Sequence, residues 1–336
     1  MAKIAALRII WAALMIIAVA CTAPEPTVSA ARDARTTAIA PPITTPPPDP
    51  AVVGANELGL VPILMYHQLS PAPAGEYDQT PEKFRAELDR LQRENYRPIT
   101  LSRYISGAID LPAGTHPVVL TFDDSTTSQL AFAADGSPAP GSAIGILETF
   151  RTQHPDFAPT ATFFVNNDPF ADEARALPWL TAHGYEIGAH TATHANLAHL
   201  DGTGVQRELV LNLRAITTAI PGVPVRTMAL PLGVFPRDHA LATAGNWDGT
   251  PYTFDAVLLV GAEPAPSPYG TFDPAAVPRI RSGRSPVPFD STYWLDRLDE
   301  HPDQRYTSDG DPARISFPRN LSGELTARWT AAAAPY

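Results

Sequence analysis

Val118-Val119-Leu120-Thr121-Phe122-Asp123-Asp124 is the stretch on which the fold turns. Its uncharged, β-branched and apolar run describes a strand buried on both faces, and such strands belong to parallel sheets covered by helices. The run ends in two adjacent carboxylates, which point in different directions and so can take different tasks. Further along, Glu186-Ile187-Gly188-Ala189 delivers His190-Thr191-Ala192-Thr193-His194 in the same manner. Two histidines four apart can face one centre if the turn after the strand is helical, a spacing suited to a single metal ion. Alone, the acidic pair reads equally well as a turn capping a nearby helix, and two histidines are weak evidence. Together they form a candidate metal site.

Working outward, residues 61–66, 118–122, 160–165, 186–189, 225–230 and 256–260 read as buried strands. Between them, residues 81–95, 142–154, 172–183 and 205–220 carry helical spacing, the first opened by Thr80 and Pro81 as cap and first-turn residue. Strands alternating with helices predict an α/β chain with a parallel sheet, closed as a barrel or left open. Either way, active groups belong at the carboxyl ends of strands. Residues 133–141, rich in Gly, Pro and Ala, read as a surface loop.

The 336 residues include 24 Lys and Arg against 35 Asp and Glu, a net charge of −11. That balance argues against nucleic acid as a partner, because phosphate binding needs clustered cations. A neutral sugar polymer raises no such objection. At the N-terminus, Lys3 and Arg8 precede an apolar run at 9–20, and Ala18-Val19-Ala20 leads into Cys21, the only cysteine. This resembles a bacterial lipoprotein signal, which implies lipidation of Cys21 and an extracytoplasmic protein anchored to the cell membrane. An ordinary secretory leader or a short anchor is the other reading, although the run is short of the about 20 residues a spanning helix needs. Residues 22–59, dominated by Pro, Ala and Thr, read as an extended spacer. The expected partition is therefore a leader at 1–21, a Pro-rich linker at 22–59 and one catalytic domain at 60–336, expected to act as a monomer.

The two site motifs carry a further resemblance. Thr121-Phe122-Asp123-Asp124 and His190-Thr191-Ala192-Thr193-His194 are similar, in order and separation, to the first two motifs of the polysaccharide deacetylases of carbohydrate esterase family 4. The resemblance extends over about residues 60–285. It implies a distorted, incomplete (β/α) barrel, with Asp123 as catalytic base and Asp124, His190 and His194 as ligands of a divalent ion, usually zinc. It also implies hydrolysis of acetyl groups on an acetylated polysaccharide, the metal polarising the carbonyl and activating water.

The third family motif departs. Where the family commonly has Arg-x-Pro-x-Gly, this chain has Ala229-Leu230-Pro231-Leu232-Gly233. Pro231, Leu232 and Gly233 keep the turn expected to help bind the oxyanion, but the arginine that orients the base is missing. A subset of the family with Ala here takes an arginine from elsewhere, and Arg279 in Val277-Pro278-Arg279-Ile280 is the candidate, against a plain surface arginine. The family's late histidine, which protonates the leaving amine, is also absent; His301 follows no strand. Instead the first strand ends Met65-Tyr66-His67, which resembles a permuted branch of the family and makes His67 the candidate general acid, against a buried structural histidine. His116, His154, His183, His199 and His239 are expected in loops or at helix ends. Trp247, Tyr252, Phe254, Tyr269 and Trp294 are candidates for stacking on sugar rings or for the core. Two other functions stay open: a glycan-binding lipoprotein without turnover, and an O-acetyl esterase of the xylan type.

Overall fold

The computed structural model describes residues 48–284 and 287–336. The expected leader with Cys21, and most of the spacer, lie outside the described residues. Twelve strands are described: β1 (Ile63–Tyr66), β2 (Tyr96–Pro98), β3 (His116–Phe122), β4 (Thr162–Val165), β5 (Glu186–Ala189), β6 (Thr227–Ala229), β7 (Ala244–Trp247), β8 (Thr250–Thr253), β9 (Ala256–Leu258), β10 (Ile280–Arg281), β11 (Ile315–Phe317) and β12 (Ala333–Pro335). The helices are α1 (Pro50–Val53), α2 (Pro81–Arg93), α3 (Leu101–Ser106), α4 (Ala143–Gln153), α5 (Glu173–Ala182), α6 (Gly202–Ala219) and α7 (Ser291–Glu300).

Eight strands form one sheet in the order β10-β1-β3-β4-β5-β6-β9, with β2 beside β3, and every pairing within it is parallel. The sheet curls into an irregular barrel, because Val277 pairs with Leu258 on β9 while Ile280 pairs with Leu64 on β1. Residues 277–281 therefore reach from one side of the sheet to the other. Small two-stranded sheets, β7 with β8 and β11 with β12, lie outside it.

Strand parity decides what faces where. On β3, Val118, Leu120 and Phe122 join the core packed against the helices, whereas Val119 joins the core inside the barrel. The same split separates Leu64 and Tyr66 from Ile63 on β1, and Phe163 and Val165 from Phe164 on β4. Outside, Tyr66, Phe122 and Phe163, which are neighbours in register, stack with ring centroids 4.9 and 4.8 Å apart. Inside, the odd-numbered parity of β1 and β3 runs on to His67 and Asp123.

The helices start where the sequence signals them. Thr80 Oγ1 accepts the Lys83 N–H at 3.1 Å with Pro81 in the first turn, and Ser142 and Asp201 cap α4 and α6 in the same way. Each such cap contributes about 1 kcal/mol. Two expectations need correction, and one alternative is decided. The linker ends before residue 59: α1 begins at Pro50, and Ala55, Asn56, Glu57 and Leu58 are buried, because Glu57 and Asn56 find partners in the C-terminal segment. His116 is a buried member of β3, its Nδ1 2.8 Å from the Tyr306 carbonyl, not a loop residue. Tyr252, Phe254 and Tyr269 are core side chains.

Glu57 joins the start of the folded body to β11. Its carboxylate accepts the Ser316 N–H at 2.8 Å and the Tyr306 hydroxyl at 3.1 Å. Burial pushes this carboxyl up to about 8, reinforced by nearby Asp309 and opposed by the Ser316 bond. A folded-state pKa above the unfolded value of 4.5 means that this group's stabilisation is complete at acid pH and is lost as pH rises through 8. Thermal melts between pH 5 and 9 should show wild type losing Tm relative to Glu57→Gln, which carries no titrating proton. Parallel pH profiles for the two proteins would contradict this assignment.

Candidate active site

The carboxyl ends of β1, β3, β5, β6 and β9 converge on a cleft of about 190 Å³ lined by His67, Tyr77, Asp123, Asp124, His190, His194, Leu230, Leu232 and Val260. Register places the groups: Tyr66 pairs with Phe122, so His67 and Asp123 leave adjacent strands side by side, with His67 Nε2 3.9 Å from Asp123 Oδ2. After Asp123 the chain turns sharply, with Asp124 at φ 74° and Ser125 at φ 49°. The turn carries the second carboxylate to His190 and His194.

Asp124 Oδ1 lies 3.4 Å from both His190 Nε2 and His194 Nε2. One ligand atom from each of the three residues falls within 4.8 Å of the others. His190 Nδ1 lies 2.8 Å from the Ala229 carbonyl; donation to that oxygen leaves Nε2 as the free lone pair facing Asp124. Two imidazole nitrogens and a carboxylate brought to one point, too far apart for strong mutual hydrogen bonds, are the donor set a divalent ion takes.

Arg279 is inside the barrel and fully buried. Its Nη1 and Nη2 each donate to one Asp123 oxygen at 2.7 Å, Nη1 also reaches Thr121 Oγ1 at 3.2 Å, and Nε donates to the Leu259 carbonyl at 2.8 Å. The reading of Arg279 as a surface residue is thereby set aside, since residues 277–281 close the barrel and the parity that buries Val277 also buries Arg279.

Charge follows this geometry. Burial pushes the Asp123 carboxyl up, but Arg279, with help from His190 and His67, outweighs it and holds the group well below the usual carboxylate range. Asp124 is also held low, burial being outweighed by the neighbouring His190 and His67 side chains. Burial lowers His67, partly opposed by Asp123 and Asp124. His194 is lowered by burial and then by His190.

Sequence reasoning missed several contributors. Tyr77 forms one wall, its ring 4.9 Å from that of His67 and itself covered by Arg281 at 5.1 Å. Buried Gln129 donates from one amide nitrogen to the carbonyls of both His67 and Asp123, tying the ends of β1 and β3 together. Neither belongs to a motif. Pro231 is buried, while Leu232, at φ 60° and 58 % exposed, stands at the mouth of the cleft with Gly233 behind it at φ 67°. The approach of Gly233 to Val260 leaves no room for a Cβ.

Residues 110–246 match the family model for polysaccharide deacetylase. That segment is similar to the polysaccharide deacetylases, and the likeness covers under half of the chain. A chitooligosaccharide deacetylase of Bradyrhizobium sp. (strain ANU 289) is 33% identical over 134 residues, which is 40% of this chain and 53% of that protein. The chain thus spans about half the length of the curated relatives it matches. A polysaccharide deacetylase from Bacillus cereus shares the fold with a TM-score of 0.51 at 17% identity, over 72% of this chain and 68% of that one. A Bacillus anthracis protein assigned to the same group gives 0.53 at 19%, over 68% and 66%. The matched deacetylase segment holds Asp123, Asp124, His190, His194 and residues 231–233, whereas His67 and Arg279 lie outside it and join the site through the fold.

Removing Arg279 would strand a buried carboxylate, a loss worth about 3–5 kcal/mol. Urea melts of Arg279→Met should show a loss of that order, with Arg279→Lys recovering only part because an ammonium cannot bond both oxygens in a fork. In a double-mutant cycle, Asp123→Asn should cancel much of the cost. Additive effects would contradict the pairing.

Proposed function

We propose that this chain is a metal-dependent hydrolase that removes N-acetyl groups from an extracellular amino-sugar polymer such as peptidoglycan, poly-N-acetylglucosamine or a chitin-like chain. The observation that carries the reading is the meeting, in one cleft, of an arginine-held carboxylate, a two-histidine, one-aspartate donor set and a third histidine. The cleft is smaller than the roughly 300–1,000 Å³ of sites that enclose a whole small molecule. It suits a substituent such as an acetyl group, with the sugar lying across the open side where His194 and Leu232 are exposed.

Asp124, His190 and His194 would hold the ion, zinc being the best match to the donor set. When bound, a divalent cation there supplies Lewis-acid polarisation of the acyl carbonyl. Asp123, kept ionised by Arg279, accepts the proton of the attacking water. His67, on the neighbouring strand, donates a proton to the departing amine. The turn at Pro231–Gly233 borders the position of the developing oxyanion. Leu230, Leu232 and Val260 provide an apolar wall for the acetyl methyl.

Cys21 and the Pro-rich stretch after it support a monomer tethered by lipid to the outer face of the cell membrane, working on a nearby polymer. Among the described residues no helix is long and apolar enough to cross a membrane. Ala229 favours a binding protein without turnover over an enzyme only if the base lacks its arginine, and Arg279 occupies that role. An O-acetyl esterase would use the same groups.

Acetate release from N-acetylglucosamine oligomers, peptidoglycan and O-acetylated xylan tests the proposal. The N-acetylated substrates should release acetate, a chelator should stop it and Zn2+ should restore it. Zinc-loaded protein that releases acetate from none of them would favour the binding protein; release from xylan alone would favour the esterase. His67→Ala should cut turnover about 10²–10⁴-fold with zinc content unchanged. Because burial lowers the His67 pKa below its ordinary 6.5 while Asp123 stays ionised, wild-type rate should fall as pH rises on the acid side of neutrality, and this limb should vanish in His67→Ala. Loss of zinc from that variant would instead make His67 a ligand.

A further inference from the structure

The segment that would carry two of the three metal ligands is an unfavourable piece of backbone. Thr191 sits at φ 64° and His194 at φ 55°, conformations that cost non-glycine residues about 1–3 kcal/mol each. Its polar groups are held from outside. The His190 N–H reaches the Asn212 Oδ1 at 3.1 Å, and Asn166 Nδ2 donates to the His190 and Thr191 carbonyls at 2.6 and 3.0 Å. The Ala192 N–H goes to the Glu208 carbonyl at 3.1 Å, the Asn167 N–H to the Ala192 carbonyl at 3.2 Å, and the Thr193 N–H and hydroxyl to Glu208 Oε2 at 2.9 and 3.1 Å.

Asn212 makes the pattern pointed. It occupies a buried place in the stripe of α6 formed by Val205, Leu209 and Ile216, where an apolar residue is expected. A buried amide there is tolerable only if its partners are satisfied, and they are: its Nδ2 donates to the Val165 carbonyl at 3.0 Å and to Asn167 Oδ1 at 3.1 Å. Glu208 lies one helical turn earlier on the same face.

We infer that Asn166, Glu208 and Asn212 are positioning residues that set the strained 190–194 turn in its ligating shape before an ion arrives. The inference rests on the metal site proposed above. The strain is offset by these bonds in the metal-free fold, so binding energy is not consumed in bending the loop.

The test uses the full chain and Zn2+ alone. Dissociation constants from competition with a chromophoric chelator are measured for wild type, Asn166→Ala, Glu208→Ala and Glu208→Gln, with amide exchange at residues 190–194 in the metal-free proteins. Each alanine variant should bind Zn2+ about 10–100-fold more weakly and exchange faster at the turn. Glu208→Gln keeps an acceptor oxygen for Thr193 and should recover most of the affinity. Alanine variants with wild-type affinity, or weakening that Glu208→Gln does not relieve, would overturn the inference while leaving the metal site standing. Wild type that takes up no Zn2+ would overturn the functional proposal, and this inference with it.

Discussion

The Arg279–Asp123 pair is the constraint around which the rest is arranged. A carboxylate and a guanidinium in the interior of a barrel are each expensive to remove from water, and neither survives there without the other. The fork geometry satisfies both Asp123 oxygens, while the Arg279 Nε–H donates to the Leu259 carbonyl. The barrel must therefore close through residues 277–281, because only that path delivers the guanidinium to the end of β3. The base and the closing segment of the sheet meet in this one ion pair, and the β1–β3 register sets His67 beside it.

Much of this was legible in the sequence, for physical reasons. Buried parallel strands leave continuous apolar runs, so β3 and β5 could be read together with the carboxylates and histidines at their carboxyl ends. The cap at Thr80 and the helical periods located α2, α4, α5 and α6 within a few residues. Arg279 was reachable only by asking what the departing third motif lacked, and His67 by asking what stands in for the absent late histidine. Strand parity then shows why those two side chains point inward, and that parity becomes usable only once the register between β1, β3 and the closing segment is known.

What stayed hidden is of another kind. Gln129, Asn166 and Tyr77 act through backbone carbonyls or ring faces supplied by distant segments, and such contacts leave no spacing pattern. Asn212 did leave a trace, a lone amide in an apolar helical stripe. Glu57 escaped because a proline-rich context masks a buried carboxyl whose partners lie in the C-terminal segment. Several of the site's own residues sit at positive φ, Asp124, Thr191, His194 and Leu232 among them. Conformations that propensity would reject mark the places where tertiary hydrogen bonds override local preference.

The central claim is a division of labour between two adjacent carboxylates, one held by arginine and one free for metal. Crystals grown with Zn2+ and acetate, measured at the zinc absorption edge, test it most directly. The account predicts one anomalous peak about 2.0–2.2 Å from an Asp124 oxygen and from Nε2 of His190 and His194. Asp123 should stay bidentate to Arg279, outside the coordination sphere. A peak ligated by Asp123, or zinc bound away from these three residues, would contradict it.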